Sequence, residues 1–96
     1  MRPSIALDQH REDIRRVVLQ HRAVNARVFG SVVHGEDKDG SDLDLVIDPT
    51  TLTTLMDVAS IQVELENLLG VPVDVVTPNA LPDSFRHTVL AEAMPV

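Results

Sequence analysis

The 96-residue chain has no cysteine, tryptophan or tyrosine, and Phe29 and Phe85 are its only large aromatic residues. The missing cysteines exclude disulfides and thiolate metal sites. With so few aromatic rings, the chain has little surface on which the bases of nucleic acids could stack. The core must therefore be aliphatic, and the 44% of hydrophobic residues suffices for one small domain that spans residues 1–96.

Positive charge and long apolar segments are also scarce. The formal net charge is −7 at pH 7, and such a surface repels nucleic acid, so we expect no direct nucleic-acid ligand. No apolar run approaches the length that crosses a bilayer. The N-terminal segment, residues 1–13, becomes polar too early for a signal peptide. We therefore expect a cytoplasmic protein without a membrane segment.

The hydrophobic periodicity predicts helices that alternate with short strands, which is typical of an α/β or α+β domain with a small sheet covered by helices. The long central helix is predicted between a cap at Thr50 or Thr51 and a stop at Gly70. Its apolar stripe comprises Leu55, Val58, Ile61, Leu65 and Leu68. The other predicted elements are a helix over 3–22, a strand over 26–29, a short helical segment over 32–35, strands over 43–47 and 73–77, and a helix that begins at Pro82.

Two acidic residues, Asp42 and Asp44, flank Leu43 at the start of a predicted strand. Because side chains alternate along a strand, both carboxylates point to the same face, about 6.6 Å apart along the chain. Their repulsion costs free energy unless a cation offsets it, and Mg²⁺ takes such oxygen ligands together with phosphates and waters. Asp74 interrupts an otherwise apolar strand and can join them if the two strands are neighbours, since a buried lone Asp requires a partner.

A second motif, Gly30-Ser31, lies where a predicted strand runs into a helical turn. Free backbone N–H groups at such a point can hold phosphate oxygens, together with the Ser31 hydroxyl. Glycine also allows a ligand to approach the backbone closely. Ser41, immediately before Asp42, provides another hydroxyl nearby. Taken alone, Gly-Ser after a strand is a weak signal, and an ordinary turn explains it more often than a phosphate site does.

In combination, these motifs resemble the signature of the DNA polymerase β-like nucleotidyltransferase superfamily, and most closely its minimal nucleotidyltransferases. Gly30-Ser31 is followed after ten residues by Asp42-Leu43-Asp44 and then by Asp74 in a later strand. The matching segments are residues 29–35, 41–46 and 73–76, and the resemblance extends over nearly the whole chain. Three separate motifs in the same order make the resemblance specific.

The resemblance implies a nucleotidyltransferase fold with a small mixed sheet. It also implies Mg²⁺-dependent transfer of a nucleoside monophosphate, AMP from ATP foremost, to a hydroxyl of a partner protein. Two Mg²⁺ ions and ATP or another NTP are thus the implied cofactor and substrate. The implied partner is a helical HEPN toxin, to which this chain would be the antitoxin. The implied site residues are Asp42, Asp44 and Asp74 for catalysis and metal binding, and Gly30, Ser31, Ser41 and His34 for nucleotide binding.

One position departs from the family. Such domains commonly carry Arg where this chain has His34, and a histidine is mostly neutral at pH 7. His34 can still donate a hydrogen bond, but it supplies less charge to a triphosphate. This departure leaves an alternative in which the chain keeps the fold and neutralises its partner by binding alone.

The acidic segment also allows a calcium-loop interpretation. Counted from Asp37, an EF-hand loop would use Asp39 and Ser41 as its next ligands and Asp48 as its twelfth position. Its sixth position would be Asp42, where that loop requires glycine for a sharp turn. The flanking segments are predicted strands and not paired helices, so the spacing disfavours calcium.

Overall fold

The computed structural model describes residues 1–96 and consists of a four-stranded sheet with flanking helices. In chain order, its elements are α1 (Pro3–Gln9), α2 (Arg11–Gln20), β1 (Ala23–Phe29), β2 (Leu43–Pro49), α3 (Leu55–Leu69), β3 (Val73–Val76), a 3₁₀ helix (Pro78–Ala80), α4 (Asp83–Glu92) and β4 (Met94–Pro95). The strand order is β3-β2-β1-β4. Strand β1 is antiparallel to β2 and β4, whereas β2 is parallel to β3, so the expected mixed sheet is confirmed. None of the helices is both long and apolar enough to cross a bilayer.

The core lies between one face of the sheet and helices α1, α2 and α3, and its side chains are aliphatic, as the composition predicts. Strand β2 supplies Leu43, Leu45 and Ile47, which are fully buried. Burying a side chain of this size stabilises the fold by about 1.5–3 kcal/mol. Because alternate residues of a strand face opposite ways, this anchoring directs Asp44 and Val46 to the other face of the sheet.

Strand β3 forms one edge of the sheet, and helix α3 closes that edge. The N–H of Val73 donates to Oε2 of Glu66, and the N–H of Val75 donates to Oε1 of Gln62, each at 3.1 Å. These bonds satisfy amides that would otherwise be open to pairing with another chain. They also fix the backbone on both sides of Asp74.

Several elements differ from the prediction. The first helix is divided, because the backbone at His10 leaves helical geometry (φ −131°, ψ 22°) without a Gly or Pro to mark the break. Residues 32–35 form hydrogen-bonded turns and not a regular helical segment, and the positive φ angles of Gly30 and Gly35 delimit them. Strand β4 was not predicted, since it has two residues and one is Pro95, which has no N–H to donate.

Helix α3 is capped by Thr54, so the predicted cap at Thr50 or Thr51 is wrong. Oγ1 of Thr54 accepts from the N–H of Asp57 at 3.1 Å, and the Asp57 carboxylate accepts from the N–H of Thr54 at 2.9 Å. This reciprocal arrangement is a capping box. The Thr50 hydroxyl instead donates to the carbonyl oxygen of Arg22 at 2.8 Å.

The apolar stripe of α3 is also only partly as predicted. Ile61 and Leu65 are buried, but Leu55 is 91% exposed and Leu68 is 42% exposed. Leu69 takes the place of Leu68 in the core. The buried side chains are therefore four residues apart, which keeps one line of the helix against the sheet.

We expect Thr54→Ala to lower the free energy of unfolding by about 1 kcal/mol, because it removes the side-chain acceptor at the start of α3. Denaturant titration measures this loss. Thr51→Ala is the matched control, since Thr51 is exposed and lies outside the helix. Equal losses in the two variants would contradict the assignment of the cap.

Candidate active site

Three carboxylates lie near one another at the start of β2, and two of them, Asp44 and Asp74, share the sheet face opposite the core. Asp44 and Asp74 are paired in register between parallel strands β2 and β3, and neighbouring strands lie about 4.8 Å apart. Asp42 immediately precedes β2 and is close enough for its charge to act on Asp44. The structure therefore brings together the three acids that the sequence identifies as candidate metal ligands.

These three aspartates differ from all others in the chain because they have no partner. No hydrogen bond or ion pair joins Asp42, Asp44 or Asp74 to a protein donor. Every other aspartate accepts a hydrogen bond or pairs with a cation, namely Asp8, Asp13, Asp37, Asp39, Asp48, Asp57 and Asp83. A cluster of unpaired carboxylates repels itself and favours any cation that enters it.

The environment of Asp44 opposes its ionisation. Burial raises the pKa of Asp44 to about 6, and the charges of Asp74 and Asp42 act in the same direction. A strongly shifted carboxylate with like charges beside it is typical of functional sites, where a bound cation or proton completes the charge balance.

Gly30, at the end of β1, contacts the same carboxylate. Phe29 is paired in register with Asp44, which brings this end of β1 beside β2. A Cβ atom on Gly30 would lie 2.5 Å from Oδ2 of Asp44, and the residue has φ +74°. Glycine is therefore required here both for the left-handed backbone and for the close approach of Asp44.

The turn after Gly30 presents backbone amides without protein partners. The carbonyl oxygen of Gly30 accepts from the N–H groups of Val33 and His34 at 3.1 and 3.3 Å, whereas those of Ser31 and Val32 donate to no protein group. Free amides at such a turn can bind phosphate oxygens. Because Gly30 contacts Asp44, these amides lie beside the carboxylates.

The other two predicted nucleotide-binding residues already have partners within the protein. Oγ of Ser41 accepts from the N–H of Lys38 at 2.9 Å, which leaves its own hydrogen free to donate. Nε2 of His34 lies 3.0 Å from Oε2 of Glu92 at the end of α4. Glu92 was not predicted as a residue of this region, because nothing in the local sequence links the end of α4 to the turn after β1.

Two carboxylates of the acidic loop, residues 36–41, bind groups of the N-terminal segment and stabilise the fold. Asp37 accepts from the N–H of Ser4 at 2.9 Å and from the guanidinium of Arg2 at 3.3 Å. The bond from Ser4 lowers the pKa of Asp37 despite its burial. Asp39 lies 3.4 Å from the amino group of Met1. With Asp37 engaged in this way, the loop does not present the first ligand of a calcium loop.

The chemistry of the three unpaired carboxylates fits Mg²⁺ that arrives with a nucleotide. No group of three or more His, Cys, Asp or Glu side chains forms a ready metal cage. Mg²⁺ does not require one, because it usually binds through one or two carboxylates and completes its shell with phosphates and waters. Hard oxygen ligands beside free amides are the combination that a metal-bound phosphate needs.

We expect Gly30→Ala to destabilise the protein more than Gly35→Ala. Both replacements force alanine into a left-handed conformation, at a cost of about 1–2 kcal/mol. A Cβ atom on Gly35 meets nothing within 4 Å, whereas one on Gly30 clashes with Asp44. Denaturant unfolding of the two variants measures the difference, and equal losses would argue against the contact between Gly30 and Asp44.

We expect the metal-free protein to lose stability as the pH rises through about 6. The folded protein binds the proton of Asp44 more tightly than the unfolded chain does, since the pKa is raised from 3.8 to about 6. The contribution of Asp44 is therefore fully present below pH 3.8 and is lost as the pH passes about 6. As the pH rises from 3.8 to about 6, the melting temperature of Asp44→Asn should increasingly exceed that of the wild type. A difference that is independent of pH would contradict the raised pKa.

Comparison with known proteins identifies the family. A family model described as polymerase beta, nucleotidyltransferase matches residues 12–96. The protein adenylyltransferase MntA of Thermococcus cleftensis is 39% identical over 67 residues, which are 70% of this chain and 68% of that protein.

Solved structures agree with this match. A structure assigned as a minimal nucleotidyltransferase superposes with a TM-score of 0.86 at 42% identity and covers 97% of this chain and 95% of the other. A toxin–antitoxin structure with AMP-PNP has the same fold, with a TM-score of 0.74, 16% identity, and coverage of 88% of this chain and 69% of the other. The chain therefore belongs to the polymerase beta nucleotidyltransferase family and is a nucleotidyltransferase.

Proposed function

We propose that this nucleotidyltransferase transfers AMP from ATP to a hydroxyl of a partner protein in a Mg²⁺-dependent reaction. The observation that carries the proposal is the group of three unpaired aspartates beside the free amides of the turn after Gly30. The identity of 39% to a protein adenylyltransferase supports a protein as the acceptor.

In this proposal, the backbone amides of Ser31 and Val32 and the Ser31 hydroxyl bind phosphate oxygens of ATP. The hydroxyl hydrogen of Ser41 is free to donate to the same nucleotide. Asp42, Asp44 and Asp74 would hold two Mg²⁺ ions, which would offset the charge of the triphosphate and stabilise the leaving group.

The transfer itself is a displacement at the α-phosphorus. The acceptor oxygen forms a bond to this phosphorus, the bond to the bridging oxygen of the β-phosphate breaks, and pyrophosphate leaves. We assign the proton of the acceptor hydroxyl to Asp74, the carboxylate to which the family resemblance gives this role, and its side chain is exposed to an incoming acceptor. Positioning and electrostatic stabilisation provide most of the rate enhancement in such reactions.

We further propose that the partner is a helical toxin of the HEPN type and that this chain acts as its antitoxin. The support is the fold shared with a solved toxin–antitoxin assembly that contains AMP-PNP. Phe85 on α4 is 46% exposed and is a candidate contact for the partner. A partner that binds beside α4 would also lie near Glu92 and the turn to which Glu92 is paired.

One observation favours a second function, in which the chain neutralises its partner by contact alone. The resemblance places His34 where such domains commonly carry Arg, and Nε2 of its imidazole lies 3.0 Å from Oε2 of Glu92. Neither feature adds positive charge for a triphosphate. The two functions differ in one measurable respect, which is whether the nucleotide label reaches the partner.

Incubation of the protein with its partner, Mg²⁺ and ATP labelled on the α-phosphate tests the proposal. We expect label on the partner, no label in excess EDTA, and a loss of at least about 100-fold in rate for Asp44→Asn. Asp39→Asn is the matched control in the same acidic segment, and we expect it to retain activity because Asp39 contacts only the amino group of Met1. Neutralisation of the partner without any transfer of label would overturn the enzymatic proposal in favour of binding alone.

A further inference from the structure

Asp37 is a buried carboxylate to which the proposed reaction assigns no role. It is 4% exposed and, with Asp57, is one of two buried charged residues in the chain. Burial of a carboxylate is costly unless hydrogen bonds and charge compensate for it. Asp37 receives both, from the backbone N–H of Ser4 and from the guanidinium of Arg2.

The partner of Asp37 is the first turn of helix α1, which has no cap of its own. The N-cap residue is Arg2, whose side chain makes no capping bond, and Pro3 at the next position has no N–H. The N–H of Ser4 is therefore the first amide that needs an acceptor. Oδ2 of Asp37 accepts from this N–H at 2.9 Å, although Asp37 lies 33 positions further along the chain. Since Ala6 and Leu7 anchor α1 in the core, the acidic loop is fastened to a fixed element.

The neighbours of Asp37 connect this anchor to both halves of the candidate site. On one side, the N–H of Glu36 donates to the carbonyl oxygen of Ser31 at 2.9 Å. On the other side, the N–H of Lys38 donates to Oγ of Ser41 at 2.9 Å. Ser31 lies in the turn with the free amides, and Ser41 immediately precedes Asp42.

We infer that Asp37 is a positioning residue, which holds the phosphate-binding turn and the first carboxylate at a fixed separation by fastening the loop between them to α1. This inference rests on the proposed nucleotide site. It assigns Asp37 no contact with nucleotide or metal. Its loss therefore weakens binding of the Mg²⁺–nucleotide complex through the geometry of Ser31 and Asp42.

Asp57 provides a matched control for the structural part of this role. It is buried to the same degree, accepts from the backbone N–H of Thr54 at a helix start, and accepts from the guanidinium of Arg22. In both residues, the bond from the backbone N–H is the main cause of a lowered pKa. Asp57 differs in its location, because it belongs to the capping box at the start of α3 and no bond connects it to Ser31 or Ser41. It also lies 3.8 Å from Nδ1 of His21.

The test compares Asp37→Ala with Asp57→Ala in the full chain. Calorimetry measures the affinity for Mg²⁺ with AMP-PNP, thermal unfolding measures stability, and hydrogen exchange reports on residues 36–41. We expect both variants to lose stability, but only Asp37→Ala to bind the nucleotide about 10-fold or more weakly, as misplaced binding groups do. Faster exchange at Glu36 and Lys38 should accompany that loss. Asp37→Asn keeps an acceptor for the N–H of Ser4 and should restore most of the affinity.

If the alanine variants do not fold, Arg2→Ala and Arg22→Ala form a milder pair, since each removes one bond to the buried aspartate and leaves the cap intact. A selective loss of nucleotide affinity in Arg2→Ala supports the inference. Equal affinities in Asp37→Ala and Asp57→Ala, or in the arginine pair, overturn it while the binding by the wild type still upholds the nucleotide site. A wild-type chain that binds no Mg²⁺–nucleotide complex overturns the proposed function itself.

Discussion

The mutual repulsion of three neighbouring carboxylates, Asp42, Asp44 and Asp74, is the constraint on which the candidate site depends. The effect is strongest at Asp44, because burial and the charges of Asp74 and Asp42 together oppose ionisation of its carboxylate. Burial of side chains on the other face of β2 offsets the free-energy cost of this repulsion, since Leu43, Leu45 and Ile47 are fully buried there. The side chains of α3 bind the amides on both sides of Asp74, so the strand cannot shift to relieve the repulsion. The protein thus holds charges together that would separate in a flexible chain.

The parts of this arrangement that follow from local sequence could be predicted. Alternation along β2 directs Asp44 away from the core that Leu43 and Leu45 enter, and a lone Asp74 in an apolar strand indicates a neighbour across the sheet. Asp42 lies just before β2, so alternation does not fix its direction. The contacts between distant segments could not be predicted in the same way. The approach of Gly30 to Asp44 and the pairing of His34 with Glu92 depend on strand register and helix packing, which periodicity does not encode. The cap at Thr54 was missed for a local reason, because several threonines precede α3 and any of them can serve.

The aspartates of this chain show that surroundings and not residue type decide whether a carboxylate is satisfied within the fold. Asp37 and Asp57 are more buried than Asp44, yet their pKa values are lowered where that of Asp44 is raised. The difference is the supply of donors, since each of the two receives a backbone N–H and a guanidinium and Asp44 receives neither. A burial value alone would rank Asp37 as the stronger candidate for chemistry. The hydrogen-bond partners reverse that order, because a satisfied carboxylate is structural and an unsatisfied one retains its affinity for a cation.

The pairing of the arginines also favours a metal cation at the three unpaired aspartates. Arg2, Arg11, Arg16, Arg22, Arg27 and Arg86 are each paired with an aspartate. Arg15 donates to the carbonyl oxygen of Val96. A triphosphate that approaches the turn after Gly30 therefore meets free amides and a histidine that already has a carboxylate partner, but no unengaged guanidinium. Amides orient phosphate oxygens but cannot neutralise the charge that a triphosphate brings to a chain with a formal net charge of −7. In the proposed reaction, that neutralisation would fall mainly to the metal ions that the three unpaired aspartates would hold.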